Sequence, residues 1–313
     1  MAELSNQLMA VTVLAYLAAM VCYAGEYAFG KRSHIGRAAT RQLVGAGAFV
    51  PDDVVVAKPE EPGKGELVGR IAVVLNLIGL ALHLATTATR GIAAERMPWG
   101  NMYEYILSAT LVGAAVWAGV LLRRPAVRHL GLFVSLILVV LLGAAALVAY
   151  TPVGPLVPAL NSYWFIFHVS TIIISSGIFL LGAVPAAMFL IKDGWDAGKR
   201  GFPYTLGRRV GDAGSLERLT FRLHAFAFPL FTFGALIAGP LWAEASWGRY
   251  WGWDPKEVWA FISWIVYAAY LHARATPSVK RTTATWIAII GFVTMLMNLF
   301  GVNLFFEGLH SYA

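Results

Sequence analysis

Hydrophobic positions along the chain fall into long runs separated by short polar segments. Eight runs approach the roughly 20 apolar residues needed to cross a bilayer as a helix. They cover 8–29, 69–90, 103–122, 130–150, 162–191, 219–241, 256–273 and 284–306. The pattern predicts an all-α integral membrane protein: a bundle of about eight transmembrane helices with an external Trp-rich interfacial segment. Five regions follow: an N-terminal transmembrane anchor (1–29), a polar linker (30–68), helices two to five (69–191), a second linker (192–218), and helices six to eight (219–313). The first linker, rich in Pro, Gly and charge (PDDVVVAKPEEPGKGE), reads as flexible. No internal repeat is visible.

Composition agrees with lipid as the solvent. Hydrophobic residues make up 58% and charged residues 13%, with mean hydropathy +0.66, too little charge to cover a soluble surface. The net charge of +7 does not point to nucleic acid, because the basic residues sit at the ends of the apolar runs. With the N-terminus outside, segments 30–70, 123–129, 192–222 and 272–284 are cytoplasmic and hold 20 of the 24 Lys and Arg residues. Only Arg90, Arg96, Arg249 and Lys256 remain outside. The positive-inside rule therefore predicts both termini to be extracytoplasmic. Cys22 is the single cysteine and lies inside the first run, which excludes a disulfide, a CxxC redox pair or a zinc cluster. The first run has its basic residues after it rather than before it, and reads as a retained anchor.

The segment WGRYWGWDPKEVW, residues 247–259, lies on the expected outer face between runs six and seven. Asp254, Pro255 and Glu257 have the order of an N-cap, an N1 proline and a capping-box partner, and Trp253 with Val258 would form a hydrophobic staple. Capping alone accounts for Asp254 as well as any ligand role does. It does not account for Trp242, Trp247, Trp251 and Trp253 crowded before the cap. Six of the eleven tryptophans fall between 242 and 264, whereas an interfacial belt spreads its aromatics over many helix ends. Flat, weakly polar rings gathered on one segment suit a planar ligand such as a porphyrin, with Arg249 and Lys256 available for its propionates.

Topology sorts the seven histidines. His34 and His129 belong to cytoplasmic polar segments and read as solvated; His224, near the inner end of run six, reads as interfacial. His83 is inside run two, either as a functional group or as a hydrogen-bond partner of a neighbouring helix. His168, in NSYWFIFHVS with Trp164 one turn away, and His310, in GLHSYA, lie at one expected depth. Two imidazoles flanking an indole platform are what a six-coordinate haem iron requires. His272 follows Asp254 by eighteen residues, about 27 Å along a helix, too far to share that iron. It either reaches the inner interface beside Arg274 or serves a second site.

The stretch WGRYWGWDPKEVWAFISWIVYAAYLHAR resembles the WWD domain of haem-handling membrane proteins, most closely the CcsA (ResC) type of System II cytochrome c synthase. GVNLFFEGLHSYA and NSYWFIFHVS match the same family, and MPWGNMYEY (97–105) matches more loosely. The resemblance is specific over 161–313; the 30–68 linker is outside the family core. It implies haem b as cofactor, with His168 and His310 as the external axial ligands beneath the WWD segment and His272 as an intramembrane ligand of a second haem. It also implies a CcsB (ResB)-type membrane partner completing the inner site, an apocytochrome c CxxCH substrate, a thiol reductant system, and a bacterial plasma membrane location. The expected function is to present haem on the extracytoplasmic face for thioether attachment, as a holocytochrome c synthase component. A haem transporter or chaperone-loader, and a di-haem electron-transfer protein, are the alternatives.

Overall fold

The computed structural model describes residues 1–29 and 64–310. The expectation for His34, and most of the 30–68 linker, lies outside them. Among the described residues eight long helical segments run back and forth: α1 (Ala2–Phe29), α2 (Lys64–Ala94), α3 (Met102–Arg123), α4 (Gly131–Leu147, preceded by a 3-10 turn), α5 (Tyr163–Asp196), α6 (Ala213–Phe233), α8 (Pro255–Ala275) and α9 (Arg281–Leu296). A π-helical turn, Gly234–Ala238, continues α6 into the short α7 (Gly239–Trp247). A second, Met297–Gly301, joins α9 to α10 (Val302–Phe305). The described residues contain no strand.

Seven of these segments are long and apolar enough to span a membrane, and the chain is an all-α multi-pass membrane protein. The eighth, α8, has 21 residues, about 31 Å of helix. Trp259, Trp264, Tyr267 and Tyr270, with Lys256, Glu257 and Arg274, lower its hydropathy, and it packs against α6 and α9.

Helices outrun the apolar runs at both linkers. Residues 64–68 already belong to α2, where Glu66 and Arg70 pair at i,i+4. Residues 192–196 finish α5, and α6 starts at Ala213 behind an Asp212 N-cap that accepts from the Ser215 amide. Charged residues at such ends leave the hydrocarbon while the backbone ladder continues, so hydropathy under-reads helix length. The second linker shrinks to residues 197–212.

α5 is the central element, with 83% of its most apolar stretch buried. It meets α3 through glycine: a Cβ on Gly177 would lie 2.4 Å from the Ala109 carbonyl oxygen of α3. Small residues at such crossings let helices approach where lipid offers no hydrophobic drive. Polar groups bind the N-terminal helices to this core. Ser5 donates to the Thr86 carbonyl (3.0 Å), and His83 bonds both Tyr16 (3.4 Å) and the Leu107 carbonyl of α3 (2.9 Å). His83 is thus a helix-to-helix hydrogen-bonding residue.

Two other histidines depart from expectation. His224, read as interfacial, has its side chain buried within the bundle: its Nδ1 bonds the Thr220 carbonyl, and its ring meets Phe179, Tyr267 and Tyr270. The absent side chain of Gly182 makes the room. His129 is half-buried; its Nε2 accepts from the Gly211 amide (3.2 Å) and so ties together two loops at one end of the bundle.

Candidate functional site

The end of the bundle opposite the Arg-rich loops contains a pocket of about 1220 Å³, its open mouth included. α5, α6, α7, α8 and α9 contribute to its walls, together with the 99–102 segment and the C-terminal tail. The lining is mostly apolar and carries several aromatic rings, with Trp99, Trp242, Trp247 and Trp251 among them. His168 and His310 both face it.

His168 sits six residues into α5, following an extended Ser162 N-cap. Its Nδ1 donates to the Gly234 carbonyl at 2.8 Å, the first residue of the π turn. Gly239, at the far side of that turn, leaves the imidazole room: a Cβ there would lie 3.0 Å from His168 Nδ1. Single π turns recur at functional positions because they re-aim backbone groups. Trp242 stacks on His168 at 5.3 Å and 14°, and its indole N–H donates to the Ala159 carbonyl (2.8 Å). Ser246 donates to the same oxygen at 2.7 Å.

His310 reaches the pocket from the tail. Its Nδ1 donates to Asp254 Oδ2 at 2.7 Å, while Asp254 Oδ1 accepts from the Leu309 amide at 2.7 Å. Its ring lies edge-on to Trp247 (5.0 Å) and to Trp242 (5.4 Å), the indole that also carries His168. Asp254 therefore has both roles weighed from the sequence. It N-caps α8 in a capping box with Glu257, whose carboxylate accepts from the Gly252 and Asp254 amides. It also holds the tail. Burial pushes the Asp254 carboxyl upward, but the His310 hydrogen bond and charge and the Leu309 and Lys256 amides outweigh this and hold it below its ordinary range.

In both histidines the hydrogen bond from Nδ1 fixes the tautomer whose lone pair is on Nε2, as a ligating imidazole needs. The described residues hold no group of three or more His, Cys, Asp or Glu side chains able to bind a metal ion. Two imidazoles are too few for a bare ion, whereas a porphyrin brings four nitrogens of its own and asks the protein for two axial ligands. The donor set and the aromatic walls fit haem.

The other expected residues divide. Trp242, Trp247 and Trp251 line the pocket; Trp253 does not. It has a positive φ of 58°, is 67% exposed, and its ring meets Trp251. Lys256 is in the wall, its ammonium donating to the Asn298 carbonyl of the second π turn (2.9 Å), while Arg249 is exposed and folds over Gly252. His272 is at the opposite end of α8, exposed on a stripe with Ile265 and Ala269. Trp99, Asn101, Tyr105 and Asn298 join the lining without having been singled out individually. For the first three, the available signal was the MPWGNMYEY motif.

A bundle of membrane helices closing a pocket with aromatic walls and two histidines over its central helix fits a haem-handling membrane protein. The chain belongs to the cytochrome c assembly protein family, whose sequence profile matches residues 99–310. Within that family it is similar to cytochrome c biogenesis protein CcsA. The Guillardia theta protein is 34% identical over 242 residues, covering 72% of this chain and 79% of the relative. The Gloeobacter violaceus protein is 34% identical over 272 residues, covering 71% and 80%. The Porphyra purpurea protein is 30% identical over 292 residues, covering 82% and 90%. The chain is thus a CcsA-type membrane subunit of cytochrome c biogenesis, with a part in holocytochrome c formation.

Proposed function

We propose that the chain binds haem b through His168 and His310 at an extracytoplasmic site and presents it for thioether attachment to the CxxCH motif of apocytochrome c. The observation that carries this reading is the single indole, Trp242, touching both imidazoles, each with its Nδ1 engaged by a carbonyl or carboxylate. Haem enters as substrate: each thiol adds across a vinyl double bond, sulfur to one carbon and hydrogen to the other, with no oxidant consumed. The thiols come from the apocytochrome, kept reduced by a thiol reductant system, since Cys22 sits in α1 and does not line the pocket. The chain contributes orientation, with the indoles fixing the plane and Lys256 meeting a propionate.

The Lys and Arg asymmetry supports a plasma membrane orientation with both termini outside. The exposure of His272, on an apolar stripe near the Arg-rich end, supports an inner haem site whose second ligand a CcsB-type partner supplies. The five-region division stands as part of this reading, with the WWD segment at 242–259 as the haem-binding portion. The test is a haem count by absorption spectroscopy on the protein purified with and without its partner. One haem alone and two in the complex are expected; no Soret band in either preparation would refute the assignment.

A further inference from the structure

Beyond the ligands themselves, we infer that Glu104 is the positioning residue of this pocket. It acts through Arg90 and Arg96 to hold the two loops that place Trp99 and Trp242. The inference rests on the haem reading above.

Glu104 follows Asn101, whose side chain caps α3 by accepting the Glu104 amide at 2.9 Å. Its carboxylate is fully buried and collects donors from three places. Arg90 Nε at the end of α2 lies at 3.0 Å, Arg96 Nη1 at 2.7 Å and the Gly100 amide at 2.8 Å. Both arginines then reach across to the loop between α4 and α5. Arg90 donates to the Thr151 carbonyl (2.5 Å) and Arg96 to the Gly154 carbonyl (3.4 Å). Arg90, itself fully buried, also lies over the Tyr103 ring.

Two arms lead from this carboxylate to the pocket. The first is the 95–101 turn, bound through Gly100 and Arg96, which delivers Trp99 and Asn101 to the lining. The second is the 151–160 loop, whose Ala159 carbonyl takes the Trp242 indole N–H and the Ser246 hydroxyl. Trp242 in turn backs His168 and abuts His310. A buried ion pair is seldom kept for net stability, because desolvation offsets much of the Coulomb attraction. This one joins three separate chain segments at the rim of a ligand site, and geometry is what it supplies. Arg90 and Arg96 are two of the four basic residues left on the Trp-rich end, so their positions are explained by this carboxylate.

Removing Glu104 would strand a fully buried Arg90 and could unfold the protein. Arg96→Gln is the usable variant: it cuts the ion pair to Glu104 and the bonds to Gly154 and Met97, and leaves the Arg90–Glu104 pair and the Gly100 amide in place. Two measurements decide. Hydrogen exchange of the haem-free protein should show residues 97–101 and 151–160 exchanging roughly tenfold faster in the variant, from loss of charge-assisted hydrogen bonds. The haem-loaded variant should keep its haem stoichiometry while its Soret maximum and low-spin resonance signature shift, which a merely weakened fold would not produce. Unchanged exchange in those loops, or faster exchange with an unaltered spectrum, overturns the inference while leaving the ligand assignment intact. A native chain without a haem spectrum overturns both.

Discussion

Replacing His168 or His310 with alanine is expected to abolish holocytochrome c formation and to remove the six-coordinate haem signature from the purified protein. His168 and His310 are the two histidines in the pocket lining, so under the proposed assignment each variant loses one of the two axial imidazoles. Added imidazole should restore part of the signal in either variant, because the pocket walls of Trp99, Trp247 and Trp251 remain to hold the plane. The sharper outcome concerns His168, whose Nδ1 bond to Gly234 and stacking on Trp242 leave a shaped gap for an exogenous ring. Normal maturation of cytochrome c by both single variants would end the ligand assignment.

The second large effect is expected at Asp254. Asp254→Ala removes the N-cap of α8, about 1 kcal/mol, and the anchor of the C-terminal tail at the same time. Loss of an orienting partner typically lowers a ligand's hold on its metal roughly 10–100-fold, so haem retention should fall by that order. Asp254→Asn separates the roles: an amide still caps a helix but does not carry the charge that faces His310. It should recover thermal stability while retaining haem poorly. A pH titration gives an independent check. The carboxyl is held below its ordinary value in the folded protein, so its contribution is fully present above the ordinary carboxylate pKa. It is lost as pH falls through the depressed folded value, below the ordinary carboxylate range. Proteolysis of the tail should therefore accelerate in acid in the native chain and be pH-independent there in Asp254→Asn. Equal tail protection at neutral pH in native and Asp254→Ala proteins would show that the carboxylate does not anchor it.

The membrane class, the order of the helices and the separation of basic and aromatic ends were all legible from the chain. Each follows from a one-dimensional property: run length against bilayer thickness, and the placement of charge at run ends. The capping box at Asp254 was legible for the same reason, because it is satisfied within four consecutive residues. Helix ends were less so. Polar residues such as Glu66 and Asp212 extend helices past the point where hydropathy stops reporting them.

What pairs with what was decided only by tertiary packing. Spacing cannot reveal that Asp254 meets a histidine 56 positions later, because nothing local distinguishes a capping carboxylate from one that also anchors a tail. Nor can it reveal that His224 turns inward against Gly182, that Trp253 faces away while Trp99 faces in, or that Glu104 gathers two arginines and a loop. Those outcomes depend on the rotation of each helix about its own axis. In a membrane, close approach of small residues and the pairing of scarce polar groups set that rotation, because both helix faces are apolar and lipid does not discriminate between them. The sequence by itself determined that this protein is a helical membrane bundle with an aromatic segment at one end. The packing of α3, α5 and α7 decided which of those aromatics and imidazoles share a pocket.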